Sequence, residues 1–317
     1  MVDYYLDFEK PLQALDRKIL ELELDTGSID HSSELSLLKS EKEAAQEAIF
    51  NGLTRWQRVQ LARHPQRPFS LDYIQAFSSD FIELHGDRYF GDDSAVIGGV
   101  GSIDGTKVVL IGQQKGRNTK ENIYRNFGMM RPEGYRKSLR IMKLAEKFKL
   151  PVITLIDTPG AYPGLGAEER GQGEAIARNL LEMSKLKVPI ISIVIGEGAS
   201  GGALGIGICD RMLMLENTWY SVISPEGCAS ILWRDASKAE DAADAMRVIP
   251  QDLVDMNICD RIVKEPLGGA HRNFIDMSLI LKKVILEELD DLKSLDSSSY
   301  LDRRIERYEK IGVYTES

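Results

Sequence analysis

The sequence predicts an α/β fold with a parallel sheet, because one pattern occurs twice in succession along the chain. An apolar run typical of a strand buried on both faces leads into a turn rich in glycine, then a helix and a further apolar run. The runs that begin these two units are 151–156 and 188–195. Units of this kind build parallel sheets, and α/β proteins bind ligands at the carboxyl ends of such strands.

The composition of the 317-residue chain fits one large or two modest globular domains, since 43% of its residues are hydrophobic. A formal net charge of −9 argues against a general nucleic-acid binder, so any anionic ligand must find local positive groups. The first residues lack the basic and apolar regions of a signal peptide, and the longest apolar runs are too short to span a bilayer.

The cysteines indicate a reducing compartment. Cys209, Cys228 and Cys259 are an odd set without a C-x-x-C pair, which argues against a disulfide framework and against a cysteine-rich zinc site in this chain. We therefore expect three reduced thiols, no metal bound by this chain, and a cytoplasmic protein.

The first fifty residues predict two amphipathic helices in a charged background. Apolar residues recur at helical spacing between residues 4 and 52, and the pattern breaks at 26–28. The second helix is expected over 33–50, with Ser33 as its N-cap. Such a hairpin either covers its own domain or serves as a partner-binding arm. Two prolines within 64–68 place a boundary between an N-terminal helical region, 1–65, and the main domain, 66–317.

The rest of the chain alternates between helices and strands. Asp104-Gly105 is the strongest hairpin signal, and it joins strands expected at 95–99 and 107–112. Further strands are expected at 212–215 and within 253–263. Helices are expected at 71–84, 134–149, 167–185, 238–246, 274–292 and 300–308, with a loop at 266–272.

The second unit carries the most informative turn, G-E-G-A-S-G-G-A at 196–203. Nothing larger than serine occupies 198–203, so the backbone there can approach a ligand closely. A helix that begins at these glycines directs unpaired N–H groups and a positive dipole end into the space beyond the strand. Such a site is suited to hold a negative oxygen.

Three chemistries fit this turn, and spacing alone leaves them open. The pattern G-x-G-x-x-G, with Glu216 ending the next strand, is typical of dinucleotide binding. The pattern G-x-S-x-G is typical of a nucleophile elbow, with Ser200 as the nucleophile and His271 as its base. In the third interpretation the N–H groups of Gly201 and Gly202 form an oxyanion hole, and no side chain reacts. The structural alternative is a tight turn that packs a helix onto a sheet.

Two features lie before this turn. The first unit ends in D-T-P-G at 157–160, a motif familiar from nucleotide hydrolases, but the chain has no G-x-x-x-x-G-K-[ST] loop, which argues against a GTPase. A basic segment that includes Lys115 and Arg117 follows residue 112. It either attracts a phosphorylated or carboxylated ligand, or forms a solvated helix face paired with nearby glutamates.

Taken together, three segments resemble one family closely. They are QQKGRNTKENIYRNFGMMRPEGYRK, ITLIDTPGAYPGLGAEERGQGEAIARNL, and VIGEGASGGALGIG with the following SVISPEGCASILW. They look like the carboxyltransferase α subunit of bacterial acetyl-CoA carboxylase, and the shorter HPQRP and EPLGGAHRN match too. The resemblance covers nearly the whole chain and is weakest before residue 50 and after about residue 290. It implies a crotonase-like (ClpP/crotonase) β-β-α superhelix with an N-terminal helical extension.

The resemblance also implies an activity. With a β subunit, such a chain transfers the carboxyl group of carboxybiotin, held on a biotin carboxyl carrier protein, to acetyl-CoA, and the malonyl-CoA formed serves fatty acid synthesis. Gly201 and Gly202 map onto the oxyanion hole assigned to biotin. Asp157, Gly160 and Gly164 are expected to shape the adjoining wall, and Gly198, Lys115 and Arg117 complete the set of predicted substrate-binding residues.

The same resemblance implies partners. It places zinc on the β subunit, predicts an α2β2 heterotetramer, and associates the chain with a complex that contains biotin carboxylase and binds ATP. The isolated chain is expected to be inactive, and the ureido oxygen of biotin is expected to take the proton of the acetyl group. The alternative function is that of a stand-alone crotonase-type acyl-CoA hydrolase or hydratase. If the enzyme is a hydrolase, Ser200 would be its nucleophile.

Overall fold

A computed structural model describes residues 4–25, 30–296 and 299–312. Within these residues an eight-stranded sheet has the order β1-β2-β3-β4-β5-β6-β8, and β7 pairs with β5 off this path. The strands are β1 (Ile82–Glu83), β2 (Val96–Ile103), β3 (Thr106–Gln113), β4 (Val152–Thr158), β5 (Ile190–Ala199), β6 (Arg211–Leu215), β7 (Trp219–Ser221) and β8 (Arg261–Val263).

The sheet is antiparallel at one edge and parallel elsewhere. β2 and β3 form the predicted hairpin, in which Ile103 faces Thr106 and the two turn residues, Asp104 and Gly105, have φ values of 44° and 82°. From β3 onward, β4, β5, β6 and β8 all pair in parallel. The predicted α/β class with a parallel sheet is therefore confirmed.

Helices cover both faces of the sheet. The helices are α1 (Lys10–Leu24), α2 (Ser32–Asn51), α3 (Arg55–Ala62), α4 (Ser70–Phe77), α5 (Thr119–Tyr124), α6 (Pro132–Phe148), α7 (Leu165–Glu169), α8 (Gln172–Ser184), α9 (Ser200–Leu204), α10 (Pro225–Trp233), α11 (Ala239–Met246), α12 (Pro250–Asp255), α13 (Phe274–Ser294) and α14 (Tyr300–Glu309). Alternate residues of β5 enter opposite cores: Ile190 and Val194 pack with residues of α6 and α8, and Ile191 and Ile193 with residues of α4 and α13.

Several boundaries differ from the predictions for local reasons. The helix predicted at 71–84 ends at Phe77, because the Asp80 carboxylate accepts hydrogen bonds from Ser102 and Lys107 in the turn that leads to β1. The helix predicted at 167–185 is divided into α7 and α8, because Gly171 adopts a φ of 81°. The N-cap of α2 is His31, so the assignment of Ser33 is wrong.

Two elements within 219–233 have no counterpart in the predictions. β7 and α10 follow the glycine turn, and β7 is too short to produce a recognisable apolar run. The break predicted at 26–28 lies outside the described residues. Within the described part of the chain, no helix is both long enough and apolar enough to cross a membrane.

Arginines join the segment before residue 68 to the rest of the chain. Arg55 donates two hydrogen bonds, of 2.7 and 2.8 Å, to the carboxylate of Asp252 on α12. Arg67 is buried and donates to the carbonyl of Ile195 within β5 (2.7 Å). The domain boundary placed at residue 65 stays a prediction.

The last helix is held by one buried arginine. Arg304 donates to the carbonyl oxygens of Met183, Leu186 and Val188, each within 2.9 Å, and to both carboxylate oxygens of Asp210 at 2.8 Å. The guanidinium therefore joins α14 to the end of α8 and to the start of β5. Its charge is paired and its donors are used, which is the condition under which a buried cation is tolerated.

Replacing Arg304 by methionine should lower the free energy of unfolding by about 3–5 kcal/mol, because Asp210 keeps a buried charge without its partner. Urea denaturation measures the change. The matched control is Arg303→Met on the exposed side of the same helix, expected within about 0.5 kcal/mol of wild type. Equal effects of the two substitutions would contradict this account of α14.

Candidate active site

Polar side chains from three neighbouring parallel strands meet at their carboxyl ends. Asp157 belongs to β4 and Glu197 to β5, and Lys115 follows β3 by two residues. The Lys115 Nζ lies 2.7 Å from Asp157 Oδ1 and 2.9 Å from Glu197 Oε1. Asp157 Oδ1 also accepts the backbone N–H of Glu197 at 3.0 Å. We call Lys115, Asp157 and Glu197 the strand-end ion cluster.

A second cation reaches this cluster from the end of α3. Arg63 follows α3, and its Nε lies 2.7 Å from the second oxygen of Glu197. The same guanidinium binds Glu226 on α10 at 2.5 Å and lies over the ring of Trp219. Arg63 thus connects α3, β5, β7 and α10 around one buried carboxylate.

The protonation states follow from these pairs. Burial lowers the pKa of Lys115, but Asp157 and Glu197 more than offset this, so the pKa is raised from its ordinary value. Burial raises the pKa of Glu197, but Lys115 and Arg63 outweigh it, so the pKa is lowered. Lys115 and Glu197 are therefore charged at neutral pH, and the Lys115 ammonium is bound by two carboxylates rather than free for a phosphate.

A cavity of about 300 Å³ opens beside the ion cluster. Its lining includes Lys115, Arg117 and Glu197, together with Arg63 and Pro159. A larger cavity, of about 960 Å³, lies where Pro151 and Pro189 precede β4 and β5. We place the candidate site at the end of the sheet where the smaller cavity opens, because parallel sheets bind their ligands at the carboxyl ends of the strands. The lining of this cavity includes Pro159 but none of Gly160, Gly164, Gly201 and Gly202.

Arg117 lies at the rim of this cavity and remains partly exposed. Its guanidinium donates to the carbonyl of Arg67 (2.9 Å), pairs with Asp72, and lies 4.1 Å from the ring centre of Phe69. Two later cations of the basic segment are also paired, since Arg136 binds Asp87 and Lys137 binds Asp92. Between Arg117 and these two residues in the sequence, Arg125 and Arg131 bond uncharged oxygens of Ser94 and Asn126. The paired alternative therefore holds for part of the segment and not for all of it.

The glycine turn brings two loops into contact. β5 continues to Ala199, and α9 begins at Ser200, which has a φ of 57°. A Cβ on Gly202 would lie 2.3 Å from the carbonyl carbon of Gly160, so the start of α9 packs directly on the loop after β4. The amides of Gly201 and Gly202 belong to the first turn of α9, whose N–H groups have no acceptor within the helix.

The other predicted residues occupy different surroundings. Asp157 is only 2% exposed, so it supports the site from below. Gly160 has a φ of 151° and space around its Cα, whereas Gly164 precedes α7 and packs on Tyr162. Gly198 lies within β5, where a Cβ would be 2.5 Å from the ring of Tyr220. Gly198 is therefore required for the packing of β7 on β5.

The nucleophile-elbow geometry is incomplete in this structure. Ser200 is exposed, but His271 stacks on His64 at a centroid distance of 3.8 Å. Burial first, and then the neighbouring positive groups, lower the pKa of His271 to about 2. Among the residues that the structure describes, neither ring nitrogen of His271 has a hydrogen-bond partner. No Ser–His pair is therefore assembled.

The dinucleotide pattern has a different explanation. Glu216, the acidic residue of that pattern, binds Lys264 at 2.6 Å and accepts the N–H of Glu265. The glycines of the pattern allow close packing, since a Cβ on Gly196 would lie 2.4 Å from Asp157 Oδ1. Neither the pairing of Glu216 nor the packing of the glycines indicates a binding site for the ribose of a dinucleotide.

Sequence reasoning missed three residues of the site, Arg63, Gln113 and Glu197. Glu197 gave a usable signal, because a charged residue that ends a long apolar strand needs a buried partner. Gln113 is fully buried at the end of β3, where its side chain bonds Gly202 and Asp157. Arg63 gave no signal, because its partners are more than 130 residues away.

Comparison with known proteins gives one family. A family model described as acetyl co-enzyme A carboxylase carboxyltransferase-like matches residues 5–312. Two similar proteins are named acetyl-coenzyme A carboxylase carboxyl transferase subunit alpha. The one from Chlorobaculum parvum is 55% identical and the one from Xanthomonas oryzae pv. oryzae 56% identical, and each alignment covers 98% of both chains.

Solved structures with low sequence identity share the fold. A Pseudomonas malonate decarboxylase hetero-tetramer in complex with coenzyme A contains a chain with a TM-score of 0.60 and 16% identity, covering 76% of this chain and 94% of that one. The β subunit of geranyl-CoA carboxylase from P. aeruginosa has a TM-score of 0.56 and 14% identity, covering 84% and 47%. Transcarboxylase 12S has a TM-score of 0.54 and 18% identity, covering 67% and 41%. These likenesses confirm the crotonase-like fold.

Lys115→Met should destabilise the protein by about 3–5 kcal/mol at pH 7, because Asp157 loses its buried cation and Glu197 keeps only Arg63. Arg117→Met at the exposed rim is the control, with an expected change within about 1 kcal/mol. Urea denaturation of both variants measures the difference. Equal losses would show that Lys115 is not the centre of the cluster.

The Lys115→Met variant should also weaken the local pH dependence. In the wild type the lowered pKa of Glu197 gives stability that is present above the ordinary pKa of glutamate and is lost as the pH falls. Without Lys115, only Arg63 opposes the effect of burial, so the pKa of Glu197 rises from its wild-type value and protonation relieves the buried charge more readily. The deficit of the variant relative to wild type should therefore be smaller at pH 5 than at pH 7. A deficit that grows on acidification would contradict this assignment.

Proposed function

Because the chain belongs to the family of acetyl-CoA carboxylase carboxyltransferase α subunits, we propose that it transfers a carboxyl group from carboxybiotin to acetyl-CoA. The observation that carries the proposal is identity of 55% or more to proteins of that name over almost the entire chain. The product is malonyl-CoA, the carboxylated acetyl unit used in fatty acid biosynthesis. The crotonase-like fold agrees with this proposal, and the site supplies the donors that the chemistry needs.

The donors that we assign to catalysis are the backbone amides of Gly201 and Gly202. Negative charge develops on the ureido oxygen of biotin when its carboxyl group leaves, and fixed N–H groups stabilise such charge without a charged side chain. Gly201 leaves room for close approach, since a Cβ there would meet only Ile176, at 3.5 Å. Gly202 is packed against Gly160, which fixes the turn. We assign the wall of the site to Gly160 and Gly164, with Asp157, Lys115 and Gly198 holding it in place and Arg117 at the rim.

The reaction in this proposal uses partners. We place acetyl-CoA binding partly on a β subunit in an α2β2 assembly, biotin on its carrier protein, and ATP binding on the biotin carboxylase of the same complex. Support for a covering partner comes from the exposed apolar side chains around α10, Val222, Ile231 and Leu232, which are 79%, 71% and 62% exposed. We assign the acetyl proton to the ureido oxygen of biotin, because the ring of His271 is stacked on His64 and no Ser–His pair is assembled.

We also propose that zinc is a property of the β subunit and that the chain works in the cytoplasm. In the described ranges, no group of three or more His, Cys, Asp or Glu side chains could hold a metal ion. Cys209, Cys228 and Cys259 are free thiols, which suits a reducing compartment.

Co-expression with a zinc-bearing carboxyltransferase β subunit tests the proposal. The purified complex should decarboxylate malonyl-CoA in the presence of free biotin, which is the reverse reaction, and the α chain alone should not. Activity of the isolated chain on acyl-CoA thioesters would instead support the stand-alone hydrolase or hydratase.

Gly201→Ala is the sharpest probe of the assigned amides. The methyl group fits within the chain, so the fold should be retained, but it stands where the biotin ring must approach. Biotin-dependent decarboxylation should fall about tenfold or more, equivalent to about 1.4 kcal/mol of transition-state stabilisation. Circular dichroism and thermal unfolding should match those of wild type.

Ser200→Ala is the matched control beside that position. The transferase should keep most of its activity, because the hydroxyl takes no part in the proposed chemistry. A hydrolase that uses Ser200 as its nucleophile would lose nearly all activity. Loss with Ser200→Ala and none with Gly201→Ala would reverse our assignment.

A further inference from the structure

We propose that Gln113 is a positioning residue that holds the Gly201–Gly202 amides in register with the strand-end ion cluster. The inference rests on the proposed function of those amides. Gln113 is the last residue of β3, and its side chain is fully buried. Its amide bonds two elements that are far apart in sequence, α9 and the end of β4.

One end of the side chain holds the glycine turn. The Gln113 Nε2 donates to the carbonyl oxygen of Gly202 at 2.7 Å. In a longer helix this carbonyl would accept the N–H of Ile206, but that N–H bonds the carbonyl of Ala203 because α9 ends at Leu204. Gln113 therefore supplies the donor that the short helix lacks.

The other end of the side chain is fixed by the sheet. Gln113 Oε1 accepts the backbone N–H of Asp157 at 3.1 Å. Asp157 in turn binds Lys115 and accepts the N–H of Glu197. The orientation of the turn is thus set by the same groups that fix the ends of β3, β4 and β5.

The glycines make this support necessary. A glycine pair has more conformational freedom than any other dipeptide, so its own backbone does little to fix the direction of its N–H groups. Oxyanion stabilisation depends on donors that are already in place when charge develops. A displacement of about 1 Å at such a site can reduce the rate about 100-fold.

The test uses the α–β complex with two substitutions at this position. Gln113→Glu retains the acceptor for Asp157 N–H and places an oxygen against the Gly202 carbonyl. Gln113→Met retains the volume and removes both hydrogen bonds. The matched control is Gln114→Glu, since this neighbour is also buried but bonds the N–H of Leu71 and the carbonyl of Lys115, away from α9.

Kinetics of biotin-dependent malonyl-CoA decarboxylation give the first readout. Both Gln113 variants should lose about 10- to 100-fold in kcat, with the KM for malonyl-CoA changed less than about threefold. Gln114→Glu should retain its kcat even where its thermal unfolding midpoint falls as far as that of a Gln113 variant. Parallel losses of kcat and stability in all three variants would overturn the proposal.

Hydrogen–deuterium exchange of the α chain gives a second readout that does not depend on activity. Peptides that contain 200–204 should exchange about tenfold faster in Gln113→Met, while those from α6 and α13 should be unchanged. Unchanged exchange at 200–204 would overturn the positioning role. An inactive wild-type complex would refute the proposed function alone, because the exchange result would still report on Gln113.

Discussion

The structure depends on the neutralisation of two buried carboxylates by Lys115, with Arg63 as a second cation on one of them. Parallel strands end at a common edge, so Asp157 and Glu197 are brought together by the pairing of β4 with β5 and not by any attraction between them. Two such charges are tolerated only with a cation between them. The cluster therefore determines how closely the strand ends approach one another, and the loops that form the site are built on these ends.

The reactive groups assigned above this cluster are neutral. Backbone amides carry no charge to be neutralised, and a helix of five residues leaves its first N–H groups without internal acceptors. Charged and uncharged groups therefore have different parts in this proposal. The fixed charges beneath the site make it rigid, and the uncharged donors at its surface stabilise charge that appears during the reaction. The two glycines are needed for different reasons. Gly201 leaves room for a ligand, and Gly202 allows the start of α9 to pack on the loop after β4.

The sequence was sufficient for the repeating architecture and insufficient for the long-range contacts. Runs such as 188–195 predicted buried strands, and Asp104-Gly105 predicted the hairpin, because both signals are local. The pairing of Lys115 with Glu197 joins residues 82 apart, and no periodicity reports it. The helix at 71–84 was predicted too long, since the turn made by Asp80 depends on Ser102 and Lys107 of the neighbouring hairpin. The resemblance supplied the predicted site residues, which stay predictions, and the packing around Gly198 and Gly202 explains why these positions are glycines.

The pairing of the cations in the basic segment limits which of them can bind an anionic ligand. The basic segment that follows β3 stands out in a chain of net charge −9, but Lys115, Arg136 and Lys137 are each bound by a carboxylate of the same chain. Cations held in this way stabilise the fold and have little remaining capacity to bind an anionic ligand. Coenzyme A carries several phosphate charges, so a site that holds it requires cations that are not already paired. The half of the site built here is suited to an uncharged ring with one developing oxyanion. In this segment the description of an unpaired cation fits Arg125 and Arg131, whose guanidinium groups bond the carbonyl of Ser94 and the side-chain oxygen of Asn126 rather than a carboxylate.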